Sequence, residues 1–262
     1  KVIIRGKKGD VIGIIASKPP HIIPMEERKK VVVKKNMYID IGVCTKEEVE
    51  EAGIRVGDPV VPWSPFQTLH DGTVGMGKAF DDRIGTFVIM EAMRRIKEQS
   101  IAHPNAIIGA ATVQEEVGLR GAQTIAQTVN PDVAIVLEVD IAGDVPGIKA
   151  HEAATKMGKG PGMITYDRSM IPNQGLKEFV LDIAAQAQIP IQLSQMAGGG
   201  TDAGRIHVNS SGCPSVVLTV PTRHIHSHIG LLSLKDTENM IRLLVELLKK
   251  LDWDTVNGFS EL

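Results

Sequence analysis

The chain has 262 residues, 43% of them hydrophobic and 23% charged, with a formal net charge of −2. That length suits roughly one or two domains with a sizeable core, and the near-neutral charge gives no footing for nucleic acid or an anionic membrane as partner. No apolar run of about 18 residues is present, so no membrane span is expected; Cys44 and Cys213 lie far apart and outside any CxxC pair, as expected of reduced thiols in a cytoplasmic protein.

No secretory leader is visible, and the chain opens on Lys1 in strand-like sequence, so its N-terminus reads as cut. The stretch to about residue 74 is β-rich. Lys1–Arg5, Val11–Ala16, Lys30–Lys34 and Met37–Val43 are short β-branched runs, separated by Gly9-Asp10, Lys18-Pro19-Pro20 and similar breakers. They predict a small barrel-like or sandwich-like module over 1–74. A short helix at Lys46–Ala52 interrupts it, with Thr45 as N-cap, Glu48 three residues on and Gly53 at the stop. From 75 to 262 strands and helices alternate. Asp82–Gln99 is predicted helical, with Ile84, Val88, Ala92 and Ile96 on one stripe. Ala106–Val113 and Val133–Val139 read as strands, with a helix at Leu119–Thr128 between them. Gly175–Gln188 reads as helix and Pro214–Val220 as strand. A final helix starts at the Ser233/Asp236 cap and carries Ile241, Leu244, Leu248 and Leu251. The class is therefore α/β: a mixed, largely parallel sheet flanked by helices, with the β-rich module attached.

In such sheets sites gather beyond the C-terminal ends of strands. Glu115-Glu116 follows Ala106–Val113; Glu138 and Asp140 end the next strand; His224, His226 and His228 follow Pro214–Val220; Asp81-Asp82-Arg83 opens the first long helix. Each cluster alone has a plain explanation. Acids at a helix start complement its dipole, paired glutamates are usually solvated, and alternate histidines share one face of any extended segment. Their collection on one sheet edge is what points to a divalent metal site of mixed oxygen and nitrogen donors, such as zinc, cobalt or manganese. Gly198–Gly204 (GGGTDAG) lacks the lysine of a phosphate loop. It is read as a loop that lets backbone approach a substrate, with Asp202 orienting or capping, or else as a plain tight turn.

At these residues the sequence resembles the tetrahedral (TET) aminopeptidases, a family that includes glutamyl aminopeptidases and proteins labelled cellulase or endoglucanase. The motifs are Gly77–Arg83 (GKAFDDR), Thr112–Gly121 (TVQEEVGLRG), Leu137–Gly147 (LEVDIAGDVPG), Met157–Pro161 (MGKGP), Gly198–Gly204 and Pro221–Ser227 (PTRHIHS), with Gly9–Ile22 and Gly53–Asp58 upstream. The resemblance implies a zinc-peptidase-like fold with an inserted module. It implies two divalent metal ions per subunit in the complete protein. Asp81 would bridge them, Glu116 and His226 would hold one and Glu138 the other, where many relatives have Asp. Glu115 would be the general base towards a metal-bridging water, and N-terminal residues would be removed from peptides. It also implies dimers that build a dodecamer.

The family's first metal histidine and an aspartate two residues after it lie ahead of the inserted module, and no such motif opens this sequence. Residues 1–262 alone are therefore expected to bind at most one metal tightly and to be nearly inactive, with a preceding segment supplying further strands and helices to the sheet. Two other functions stay open at this point. A glycoside hydrolase would use a carboxylate pair without metal; a non-catalytic assembly subunit would use the β-rich module for dimerisation.

Overall fold

The computed structural model describes residues 1–260. The chain divides into two compact units, Lys1–Pro65 and Phe66–Leu262.

The first unit holds β1 (Val2–Gly6), β2 (Gly9–Ala16), β3 (Tyr38–Asp40), α1 (Lys46–Glu51) and β4 (Val60–Pro62). Its strands form an antiparallel sheet in the order β3-β2-β1-β4. A tight turn joins β1 to β2 where Gly6 pairs with Gly9, and Gly9 adopts a φ of +126° that a side chain would strain. α1 starts where the sequence places it. Glu48 N–H donates to Thr45 Oγ1 at 3.2 Å and Thr45 N–H donates to Glu48 Oε2 at 2.9 Å, the reciprocal pair of a capping box. The expected barrel does not form: among the described residues β3 and β4 remain open edges. Closing a barrel takes a full ring of tilted, staggered strands, and β3 and β4 have three residues each. Lys30–Lys34 is not a strand either. Val31 is 90% exposed, and a single 3-10 turn, Lys34–Asn36, follows.

The second unit contains β5 (Gln67–Leu69), β6 (Val74–Gly77), α2 (Phe80–Glu98), α3 (Arg120–Val129), β7 (Ala134–Ile141), β8 (Gly162–Asp167), α4 (Gln174–Gln186), β9 (Gln192–Met196), α5 (Ala203–Ile206), β10 (Ser215–Arg223), β11 (Gly230–Ser233), α6 (Leu234–Leu248) and α7 (Trp253–Gly258). Because β5 pairs with β6, residues 67–74 belong to this unit's sheet, and the division falls ahead of the expected 74/75. The sheet runs β5-β6-β11-β10-β8-β9, with β7 along the other side of β10. β7–β10 and β8–β9 are parallel; the remaining pairings are antiparallel. The sheet is mixed as expected, but antiparallel pairings predominate, so the largely parallel part of the expectation is corrected. Hairpin-like returns at β5–β6 and β10–β11 reverse the chain locally, which needs no crossover helix.

β10 is the centre. Its first eight residues are all buried, as a strand covered on both faces must be. Val216, Leu218 and Val220 share one core with Leu137 and Val139 of β7 and with α2, α4 and α6. Val217 faces the opposite side with Val136, Ile164 and Ala203 of α5. The stripe Ile84, Val88, Ala92 and Ile96 of α2 is buried as its spacing predicts. Gly85 permits the helix to approach β7: a Cβ there would lie 2.7 Å from the Leu137 carbonyl oxygen. Ala106–Val113, expected as a strand, has no ladder partner among the described residues, and Ile108 and Val113 stay 62% and 68% exposed. Strand-like composition alone does not make a strand, because the ladder satisfies its backbone.

Candidate metal centre

Asp81 comes from the start of α2, Glu115 and Glu116 from the 3-10 turn Glu115–Val117, Glu138 from β7 and His226 from the turn after β10. The backbone around them is unusual. Ala79 (φ 53°), Gln114 (61°), Leu119 (58°), His224 (63°) and His226 (57°) are all left-handed, and the Asp81–Asp82 peptide bond is cis. Left-handed non-glycine residues are sparsely populated and gather where function over-determines the chain.

His226 Nε2 lies 3.1 Å from Asp81 Oδ2 and 3.7 Å from Glu116 Oε2. One potential ligand atom from each of these three side chains falls within 4.8 Å of the others, a group found at this one place among the described residues. The Asp81 side chain is 17% exposed, whereas Glu116 and His226 are 60% and 69% exposed, so the group opens to solvent.

Around it the charge is one-sided. Burial, and then Glu116, push the Asp81 carboxyl up, and His226 pulls it the other way. Burial, reinforced by Asp202, Glu116 and Asp81, pushes Glu115 up to about 7. Burial and the neighbouring carboxylates push Asp82 up to about 8 and Glu138 up to about 10. Carboxylates resist ionising together unless a cation joins them, and a bound divalent ion would invert this pattern. Asp202 adds a buried acceptor: Thr112 Oγ1 donates to its Oδ2, while Oδ1 has no partner. Two carboxylate oxygens and one imidazole nitrogen, in a pool of crowded acids, fit a divalent cation of the zinc, cobalt or manganese type.

The structure therefore brings together Asp81, Glu116 and His226, with Glu115 beside them. Glu138 is buried near Asp82, Asp81 and Glu115 but outside the close group, and its Oε1 accepts from its neighbour's Val139 N–H at 3.0 Å. Asp140 is buried and accepts from Ile141 N–H and Thr155 Oγ1. His224 and His228 are exposed, and Arg223 is held by Asp144 through Nε and Nη2 at 3.0 and 2.6 Å. Sequence reasoning gave no role to Asp82; its adjacency to Asp81 was the only signal. The glycines of GGGTDAG answer to packing: a Cβ at Gly200 or Gly204 would strike Ser169. MGKGP is held by Asp236, which accepts from Gly158 and Gly160 N–H.

Residues 1–243 match the family described as M42 glutamyl aminopeptidase. The chain is 38% identical to the putative aminopeptidase FrvX of Escherichia coli (strain K12) over 262 residues, covering all of this chain and 72% of that protein. It superposes with a TM-score of 0.96 and 71% identity on the TET aminopeptidase of the marine sediment archaeon Thaumarchaeota archaeon SCGC AB-539-E09, covering 99% of this chain and 72% of that one. The TET1 peptidase of Pyrococcus horikoshii, described as able to assemble into a tetrahedron or a large octahedral shell, gives 0.81 at 32% identity, covering 95% and 72%. With the acid and imidazole group in place and the match running along almost its whole length, the chain belongs to the M42 glutamyl aminopeptidase family of metal-dependent aminopeptidases.

Proposed function

We propose that the residues just described remove N-terminal amino acids from peptides. The observation that carries the reading is the Asp81–Glu116–His226 group with Glu115 alongside. Asp81, Glu116 and His226 would hold one divalent ion, of zinc, cobalt or manganese, and Asp81 with Glu138 would serve a second. A bound divalent ion supplies Lewis-acid polarisation of the scissile carbonyl and acidifies water. Glu115 takes a proton from the attacking water on its carboxylate. The water oxygen bonds to the carbonyl carbon, the C–N bond breaks, and Glu115 returns that proton to the departing nitrogen. The crowded carboxylates favour a cationic free α-amine at this place, which restricts cleavage to chain ends. The imidazole amid these carboxylates favours this reading over glycoside hydrolysis, which needs a carboxylate pair and no metal.

Peptides are the proposed substrates, and dimers building a dodecamer the proposed assembly. The latter is supported by the shells formed by the Pyrococcus relative and by the exposed apolar residues of the first unit, such as Met25 at 80% and Ile15 at 54%. No helix is long and apolar enough to cross a membrane; a cytoplasmic location is proposed. The test is Glu115→Gln in the full-length gene product. It should keep its metal by calorimetry and lose kcat by roughly 10²–10⁴ on a peptide with a free N-terminus. Near-normal turnover would remove Glu115 from the reaction, and equal turnover of an N-acetylated peptide would remove the aminopeptidase reading.

A further inference from the structure

The Asp81–Glu116–His226 group draws its three side chains from three separate segments, and His226 is the most exposed of them. At 69% exposure its ring is little held by packing, and its φ of 57° is a backbone state that costs free energy to keep. It sits in the turn 224–229 between β10 and β11, so its placement depends on what grips that turn. Inside the turn, Ser227 Oγ lies 2.7 Å from the His224 carbonyl oxygen and 2.6 Å from that of Ile229. These contacts tie the turn to itself and leave its direction to its base.

At the base stands Arg223. Its guanidinium donates through Nε to Asp144 Oδ1 at 3.0 Å and through Nη2 to Asp144 Oδ2 at 2.6 Å. A planar fork on a carboxylate fixes orientation as well as distance, which a lysine's point charge does not. The two side chains are 29% and 18% exposed; an ion pair open to water adds little to stability, which leaves orientation as what the fork supplies. Asp144 stands on an anchored platform. Just ahead of it, Ala142 N–H donates to the Thr222 carbonyl and Gly143 N–H to that of Thr155. A Cβ at Gly143 would strike the Ala153 carbonyl oxygen, so these two stretches meet backbone to backbone. The next stretch is tethered in turn. Gln192 Nε2 donates to the Gly160 carbonyl at 2.7 Å, and Gly160 N–H donates to Asp236 Oδ1 at 2.9 Å. Asp236 lies in the first turn of α6, directly after β11, whose Leu231 pairs with Arg223. The links close a ring, from β10 through Asp144 and residues 153–160 to α6 and back through β11, and the His226 turn projects from it.

We propose that Arg223, clasped by Asp144, is a positioning residue that aims His226 at Asp81 and Glu116. The proposal rests on His226 as a metal ligand, the reading given above. Three residues of chain reach at most about 10 Å, so a tilt of a few degrees at the base becomes a displacement on the order of 1 Å at the imidazole. Metal–ligand distances are held to about 0.2 Å, and a displacement of that size detunes the site without unfolding anything.

The experiment is calorimetric titration of the full-length gene product with zinc, run beside amide hydrogen exchange on its metal-free form. Arg223→Gln should weaken, by about 10–100-fold, the same zinc equivalent that a His226→Ala control loses. In the metal-free variant the amides of residues 224–229 should exchange faster, with those of Val217 and Leu218 in β10 unchanged. Arg223→Lys keeps the charge and loses the fork, so it should fall between the two. Wild-type zinc affinity in Arg223→Gln overturns the proposal. Equally faster exchange at Val217 and Leu218 overturns it too, because the pair then serves stability at large. Full recovery in Arg223→Lys would replace the fork with bare charge and overturn it as well. Should Arg223→Gln not fold, Asp144→Asn takes its place and the same outcomes decide. If the wild-type protein takes up no zinc, or His226→Ala keeps every equivalent, the metal-centre reading falls. Exchange then still decides the grip of the fork: faster exchange confined to 224–229 keeps it, and unchanged exchange sinks it.

Discussion

The two units solve the same problem in different ways. In Phe66–Leu262 a continuous core runs from α2 through β7 and β10 to α4 and α6, and side chains such as Val88, Leu218 and Leu243 are wholly buried. In Lys1–Pro65 the buried apolar side chains are Val2 and Ile4, at 5% exposure each, while Ile12, Ile14 and Ile15 on the next strand stay half exposed. The larger unit is held by non-local burial. The smaller one, considered by itself, relies on a hairpin, a capped helix and short ladders.

That contrast sets the size of what substitutions should do. Leu218→Ala deletes a side chain with no exposed surface from the central strand and should destabilise by about 2–5 kcal/mol. Ile14→Ala on the half-exposed face of β2 should move stability by about 0.5 kcal/mol or less. Urea melts of the two variants check this, and equal costs would dissolve the distinction. Next comes Asp236→Ala, which leaves the amides of Gly158 and Gly160 without their acceptor, the Gly160 one buried. A loss of about 1–3 kcal/mol is expected, because a buried orphaned donor keeps its desolvation penalty. Thr45→Ala breaks the capping box of α1 and should cost about 1 kcal/mol, seen as faster amide exchange confined to residues 46–52. A global loss of protection would mean that the small unit is bound into one cooperative whole.

Acid should separate the units as well. Hydrogen bonds from Arg94 and Arg95 hold Glu91 of α2 down at about 2, and Arg95 also holds Glu238 of α6 below its usual value. A carboxyl with a depressed folded pKa lends stability that is complete above its unfolded value near 4.3 and drains as pH falls towards the folded one. The larger unit should therefore soften between about pH 4.3 and 2, and Glu91→Gln should flatten that part of its pH–stability profile. An unchanged profile would show the ion pairs to be screened out.

Much of this was legible from the chain alone where the signal is local. The stripe of α2, the Thr45–Glu48 box and the Ser233 cap of α6 are sequence neighbours, and the structure returns each of them. β8 and β9 escaped because Gly162–Asp167 and Gln192–Met196 are strands by virtue of each other and of β10, which no window of sequence contains. Strand direction escaped for the same reason. Ala106–Val113 shows the converse, strand composition without a ladder. At the site, the acid and histidine clusters stand out in the sequence by residue type, whereas the choice of Asp81, Glu115, Glu116 and His226 within them came from the resemblance to the TET aminopeptidases. The load on Asp82 and the orphan oxygen of Asp202 arise only from who stands beside them in space.

The left-handed residues around the acids have a consequence for the evolvability of the protein. Ala79, Gln114, Leu119, His224 and His226 each hold a backbone state that glycine would occupy at less cost. Selection for thermal robustness alone would drift these positions towards glycine, and at His226 that drift erases an imidazole. The site is thus a standing tax on the fold, and the deep core of the larger unit is the reserve that lets such a strained rim persist through mutation.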